Sequence, residues 1–256
     1  EEIDHFCQPK SGAICYAWLN SESKPIQLAE AGYQVVIATA SHLYFDFAYC
    51  NHHEEKGLSW GGYTDEYRSF DWEPAQHENI IGMSAQLWSE VIRTFSQVEW
   101  QLYPKILGLA ERSWNAAYNA NGTLLAYNHR SKLSLGDYNH LVYNVHLPRL
   151  AANGHNFHIQ QPGIRQVATE NEQLQLDKSH ILIEMNKVMQ GGEILYCLDD
   201  GEWKVYTNTI AIPATTQIVK AKVRYLGKES NTTWLWLNDK HDVKGQTVEK
   251  NTGATF

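Results

Sequence analysis

The chain has 256 residues, of which 43% are hydrophobic and 20% charged, and a formal net charge of −8. That length supports one large domain or two ordinary ones, each with a real core. The acidic balance argues against a nucleic-acid binder, which would show a basic face, and no apolar run approaches the roughly 20 residues of a membrane helix.

Residues 12–18 ("GAICYAW") read as a short apolar strand. A helix is expected over 24–31 ("KPIQLAEA"), with Gly32 as its stop. "YQVVIATA" (33–40) is β-branched and reads as a buried strand. A long polar-aromatic segment spans 41–79, and "IIGMSAQL" (80–87) is a further buried strand. Residues 89–116 predict a long amphipathic helix with Val91, Phe95, Val98, Leu102, Ile106 and Leu109 on one face, kinked or split by Pro104. Strand, helix, strand, loop, strand, helix is the rhythm of a parallel α/β fold, and the strands lack the alternation of a half-covered sheet. A closed (β/α)8 barrel needs eight strands, so these three read as the C-terminal portion of a TIM barrel over residues 1–131. A helical linker is expected over 132–162.

From 163 the segments turn short and strand-like: "HILIEM" (180–185), "EILYCL" (193–198), "WKVYT" (203–207), "TQIVKAKVRYL" (216–226) and "TTWLWL" (232–237). In the fourth, Val219, Ala221, Val223 and Tyr225 fall on one side; Ile218, Lys220, Lys222 and Arg224 fall on the other. "DDGEW" reads as a hairpin turn. The expectation is a small immunoglobulin-like β-sandwich over 163–237, then a polar tail over 238–256.

Nine Trp and fourteen Tyr are many for this length. They suit a large aromatic core, or a surface that stacks on flat ligand faces as in sugar-binding proteins. Residues two apart in an extended segment share a face. Trp88 with Glu90, and Tyr44 with Asp46, each place an aromatic ring beside a carboxylate where a strand ends. In a β/α barrel that end is the active-site face. The ring suits the apolar C–H face of a sugar and the carboxylate accepts its hydroxyls. A core Trp beside a helix-N-terminal Glu fits the first pair as well. Trp60, among glycines in "GLSWGG", is either a loop anchor or a sugar platform at the rim. Trp18 ends its strand and suits the barrel core at least as well.

The remaining motifs carry less chemistry. "NHHEE" (51–55) reads as a solvated loop with no metal-binding spacing. The four cysteines lack CxxC or zinc spacing. Cys7 and Cys15 are close enough for a small disulfide loop, and reduced thiols fit equally, so the compartment stays open. No metal or cofactor is called for. Asn121 and Asn231 match the short glycosylation pattern. The chain opens "EEIDHFCQPK", without Met or a signal-peptide pattern, so the natural N-terminus is expected elsewhere.

In "AGYQVVIATASHLYFD", "IIGMSAQLWSE" and "LYPKILGLAERSW" the chain resembles the last third of the catalytic barrel of glycoside hydrolase family 20, the β-N-acetylhexosaminidases. "HLPRLAANGHNFHIQQPG" and the strands after it resemble the C-terminal domain of that family's bacterial chitobiases. The resemblance covers residues 10–237, and the ordered run of blocks is more specific than any single motif. It implies exo-acting release of terminal N-acetylglucosamine from chitobiose and chitooligosaccharides. The retaining mechanism would be one in which the substrate's own acetamido oxygen attacks, an exception to the two-carboxylate scheme. By position, Tyr44 would hold the acetamido carbonyl as the catalytic residue. Trp88 would wall the pocket, Asp46 and Glu90 would bind the outer hydroxyls, and Trp60 would stack on the next sugar. The resemblance also implies a periplasmic or secreted location.

One departure is large. The family's catalytic Asp-Glu pair sits in a "GGDE" block, and neither Gly61-Gly62 nor Gly191-Gly192 is followed by Asp-Glu. The family's sugar-binding Arg is missing too. The chain therefore reads as the C-terminal part of such an enzyme, inactive alone, with the N-terminal part of the same enzyme as partner. The other class of reading is a non-catalytic carbohydrate-binding or scaffolding module.

Overall fold

The computed structural model describes residues 12–19, 23–114, 133–167 and 179–237. The chain divides into two compact units, with the boundary between His158 and Ile159.

The first unit opens with β1 (Ile14–Ala17), α1 (Lys24–Glu30) and β2 (Gln34–Ile37). Pro25 sits in the first turn of α1, where its missing N–H costs nothing. Gly32, at φ +91°, ends the helix: its N–H donates to Ala29 O and that of Tyr33 to Leu28 O. Leu28 and Ala29 pack on Cys15, Ala17 and Val35, which fixes α1 against one face of the sheet. Two short helices follow, α2 (Ala40–Leu43) and α3 (Glu66–Phe70), and then β3 (Ile80–Met83). The three strands are parallel, in the order β1-β2-β3. The expectation of strands covered on both faces is corrected for β1. Ile14 and Tyr16 are 46% and 55% exposed, while Cys15 and Ala17 are buried, because α1 covers one face only.

The helix expected over 89–116, kinked or split by Pro104, is split there, and its start is corrected from residue 89 to Phe95. Thr94 accepts from Gln97 N–H, and the Gln97 side chain returns to the Thr94 N–H. This capping box starts α4 (Phe95–Leu102) after Val91, which leaves Phe95 74% exposed rather than on the inner face. The break falls at the cis Tyr103–Pro104 bond, where the sequence places it, and α5 (Lys105–Trp114) follows. α5 lies close against α3: a side chain at Gly108 would meet Ser69 Oγ and lie 2.8 Å from Phe70 N. Further on, α6 (Leu135–His140), a π-helical turn (Leu141–His146) and α7 (Leu147–Ala152) run in succession. Tyr138, Val142, Tyr143 and Leu147 are buried, and the Tyr138 hydroxyl donates to Glu66 O at 3.2 Å. This segment, expected as a helical linker over 132–162, belongs to the first unit up to His158.

The second unit is two antiparallel sheets. One holds β4 (Gly163–Gln166), β5 (His180–Asn186) and β8 (Ile210–Pro213); the other holds β6 (Glu193–Leu198), β7 (Lys204–Val205), β9 (Ile218–Tyr225), β10 (Lys228–Glu229) and β11 (Thr233–Trp236). β9 alternates as its sequence predicts: Val219, Ala221 and Val223 are fully buried, and Lys220, Lys222 and Arg224 are not. Tyr206 joins the sheets, its N–H donating to Ile194 O and its hydroxyl accepting from Met185 N–H. "DDGEW" does connect the antiparallel pair β6–β7. Cys7, Asn121 and the tail over 238–256 lie outside the described residues.

Candidate active site

Four stretches of the first unit line one cavity of about 800 Å³. β1 and the residue after it bring Tyr16 and Trp18. The chain past α2 brings Tyr44 and Asp46, the loop beyond brings Leu58 and Trp60, and the extension of β3 brings Gln86, Trp88 and Glu90. The structure thus brings together all five predicted site residues.

The route to two of them is not the expected one. β2 ends at Ile37 and α2 intervenes, so Tyr44 and Asp46 do not simply end that strand. The chain then re-enters the sheet direction: Tyr44 forms a parallel bridge with Gln86, and Phe45 N–H donates to Gln86 O at 2.8 Å. Two residues beyond Gln86 comes Trp88, two more bring Glu90, and all three line the cavity.

Tyr44 is the hub of the walls. Its ring stacks with Trp18 at 6.4 Å between centroids and 19° between planes, and meets Trp60 at 6.0 Å and Trp88 at 6.3 Å edge-on. These are ordinary aromatic separations. Tyr44 itself is buried, while Trp60 and Trp88 are 60% and 50% exposed, leaving ring surface for a ligand. Trp60 is braced from behind by Phe47 at 5.0 Å. Gly57 makes the loop possible: at φ +131° it lies so close to Phe47 and Ala48 that a side chain would strike their backbone. There Leu58 N–H donates to Asp46 O, and Ala48 N–H to Leu58 O.

Asp46 is the chemical anomaly. It is fully buried, lines the cavity, and neither carboxylate oxygen has a hydrogen-bond partner among the described residues. Burial raises its pKa. The backbone N–H groups of Asp46 and Trp88 lie near enough to pull it back without closing a hydrogen bond of normal geometry, the Glu90 charge adds to the rise, and Lys105 opposes it.

Behind this segment lies a second buried polar layer. Tyr49 stacks on His158 at 3.6 Å, and His158 Nε2 lies 2.9 Å from Glu55 Oε1 with both side chains buried. Glu55 therefore does not belong to a solvated loop, correcting the reading of "NHHEE"; His53 and Glu54 are exposed as that reading has them. Burial lowers the His158 pKa against the pull of Glu55, and Lys105 Nζ lies 3.9 Å from the Tyr49 ring. Sequence reasoning passed over Lys105, Tyr16 and Gln86, and it left Trp18 undecided. For Tyr16 and Trp18 a signal existed: "CYAW" alternates small and aromatic, which puts both rings on one face. Among the described residues no group of His, Cys, Asp or Glu is placed to hold a metal ion.

Comparison with known proteins agrees with this geometry. Residues 1–117 match the model of the glycosyl hydrolase family 20 catalytic domain. Beta-hexosaminidase B of Pseudoalteromonas piscicida is 32% identical, over 36% of this chain and 15% of its own length. The N,N'-diacetylchitobiase of Vibrio harveyi is 24% identical, over 81% of this chain and 26% of its own. The chain therefore spans about a quarter or less of either relative. The crystal structure of a family 20 exo-β-N-acetylglucosaminidase from Vibrio harveyi, with N-acetylglucosamine bound, superposes with a TM-score of 0.52. It is 25% identical and covers 62% of this chain and 24% of that one. The parallel strands are thus a piece of a TIM-barrel-related fold, with the cavity at their C-terminal ends. Residues 1–117 are thus similar to part of the catalytic domain of glycosyl hydrolase family 20.

Proposed function

We propose that this cavity is the sugar-gripping part of the active site of an exo-β-N-acetylhexosaminidase. It would receive the terminal N-acetylglucosamine of chitobiose-type oligosaccharides. The observation that carries this reading is Asp46: a buried carboxylate with both oxygens unpartnered, set in an aromatic-walled cavity. An unpaired buried acceptor is costly, and a hydroxyl-bearing ligand removes that cost. The second carboxylate, Glu90, makes the cavity hostile to anions, so the hydroxyl donor is a neutral sugar.

In this reading Asp46 and Glu90 accept the outer hydroxyls, Trp88 covers the C–H face, and Trp60 carries the following sugar. Tyr44, whose ring is locked by Trp18, Trp60 and Trp88, presents its phenol to the acetamido carbonyl. It holds that oxygen for attack on the anomeric carbon. The carboxylates lining the cavity are both assigned to binding. The acid that protonates the leaving oxygen, and the group that assists the acetamide, are therefore assigned to the part of the enzyme that this chain does not span. The chain alone is expected to be inactive, since general acid catalysis is worth roughly 10²–10⁴-fold. The two-sheet unit is read as immunoglobulin-like, and the location as periplasmic or secreted, both from the resemblance.

The test is titration of the complete protein with N-acetylglucosamine, followed by tryptophan fluorescence, with glucose as the control lacking the acetamide. Saturable binding that prefers N-acetylglucosamine, and that Asp46→Asn weakens, supports the reading. No binding, or binding indifferent to Asp46→Asn, rejects it.

A further inference from the structure

Asp46 and Tyr44 must be held in place by something, and the sheet holds only one side of their segment. Phe45 N–H pairs with Gln86 O, and Asp46 O with Leu58 N–H. The carbonyls of Phe45 and Phe47, which flank Asp46, are taken up by a single side chain. Lys105, the first residue of α5, is fully buried, and its Nζ donates to Phe45 O at 2.9 Å, to Phe47 O at 2.6 Å and to Gln101 Oε1 at 3.2 Å. An ammonium has three N–H donors, so all three are used, and the neutral amine keeps two, enough for the two carbonyls.

We propose that Lys105 is a positioning residue for this site: it clamps the peptide groups on both sides of Asp46 and so fixes the directions of the Asp46 carboxylate and the Tyr44 ring. The proposal rests on the sugar-site reading above for its functional half, and on geometry alone for its structural half. The chain turns at Phe45 and Asp46, where Phe47 N–H donates to Tyr44 O at 3.3 Å, and the carbonyls on both sides of Asp46 converge on the one ammonium. Holding 45 and 47 together therefore pins the backbone between them, and with it the side chain at 46 that faces the cavity. Gln101, itself buried, is tied in turn by its Nε2 to Lys56 O at 2.8 Å, which links the clamp to the loop that carries Trp60.

The lysine is held in place by more than its own bonds. Its Nζ faces the Tyr49 ring from the segment after Asp46, and its backbone carbonyl accepts from Ser69 Oγ of α3 at 2.8 Å. Acidic charges that favour its ammonium come from Glu55, Asp46, Asp65 and Glu66, while burial works against it and pushes its pKa down to about 7. Lys105 has no place in the cavity lining, so it acts through the segment and not on the sugar.

The decisive variant is Lys105→Met in the complete protein, which keeps the stem and removes the donors. Amide hydrogen exchange over residues 43–49 should quicken by about tenfold or more. With 4-nitrophenyl N-acetyl-β-D-glucosaminide, kcat/KM should fall about 10²-fold, the scale of a reacting group misplaced by about 1 Å. Lys105→Arg, which restores charge and donors, should recover a large part of both. Phe70→Leu loosens the α3–α5 contact without reaching the segment. Compared at equal Tm loss, it should leave both readouts within about threefold. Unchanged exchange over 43–49 in Lys105→Met overturns the clamp, as does an activity loss no larger than that of Phe70→Leu at equal Tm. If the exchange responds as stated while the wild-type protein neither binds nor cleaves the sugar, the clamp stands and the sugar reading falls.

Discussion

At the scale of single residues the site combines a cost with a use. Asp46 is buried with neither carboxylate oxygen in a hydrogen bond of normal geometry, and burial raises its pKa above the unfolded value. An acid so perturbed takes up protons on folding, so the ionised form weighs against the folded state at neutral pH. Asp46→Asn should therefore raise the Tm of the unliganded protein and lower its affinity for N-acetylglucosamine by about tenfold or more, the usual opposition of stability and function. Calorimetry with and without the sugar checks both signs, and a variant with lower Tm and intact affinity refutes the account. Trp88→Ala removes one exposed ring from the wall and should cost about tenfold in affinity, as expected for about 1.5 kcal/mol of stacking. Trp88 and Glu90 were legible because spacing by two is a local property of extended chain; Tyr44 and Asp46 line the same cavity although the chain turns between them. Lys105 was not legible. Nothing within "LYPKIL" distinguishes a lysine that turns into the interior from one on a helix surface, and its three acceptors lie 4 to 60 residues away in sequence.

At the scale of elements, the apolar spacing that suggested one helix over 89–116 is real on both sides of the break. Val98, Leu102, Ile106 and Leu109 are each partly buried. The boundary was written in "TFSQ", whose Thr and Gln close the capping box, and a period count reads through such a signal. β4 went unread because it offers one buried apolar residue, Ile164, in four positions, and its pairing with β5 comes from beyond the local sequence. The contact between α3 and α5 is more demanding than any pattern shows. A methyl at Gly108 has nowhere to go, since the nearest atoms include the Phe70 backbone nitrogen and Ser69. Gly108→Ala should thus destabilise the first unit by roughly 1–3 kcal/mol through overpacking, although alanine is the better helix former. Urea unfolding measures the sign, and a stabilised variant would mean that the two helices can part at little cost.

At the scale of the whole chain, the two units differ in what they bury. The second unit buries apolar strands, and its ion pairs, such as Lys220–Asp200 and Arg224–Glu229, have an exposed partner. The first buries a titrating layer behind its cavity, and this predicts a different response to pH. Lys105 is pushed down to about 7 from an unfolded value near 10.5, and His158 is lowered below its ordinary 6.5. For each, the unfolded chain binds more protons than the folded one between the two pKa values, so stability rises with pH across that interval. For His158 the interval ends near 6.5, and for Lys105 it runs from about 7 to about 10.5. The buried tyrosines Tyr49, Tyr138 and Tyr143 have raised pKa values and reverse the slope only above about pH 10, where unfolded tyrosine ionises. The first unit should therefore gain stability from about pH 6 to about pH 9.5, and the second should change little. Amide exchange over 43–49 and over 193–198, corrected for the intrinsic rate at each pH, reads the two units separately. Lys105→Met should flatten the slope above about pH 7 in the first unit and leave the second untouched. A wild-type first unit whose protection falls across this range, or a Lys105→Met variant with the original slope, would show that the interior lysine is not the group that titrates.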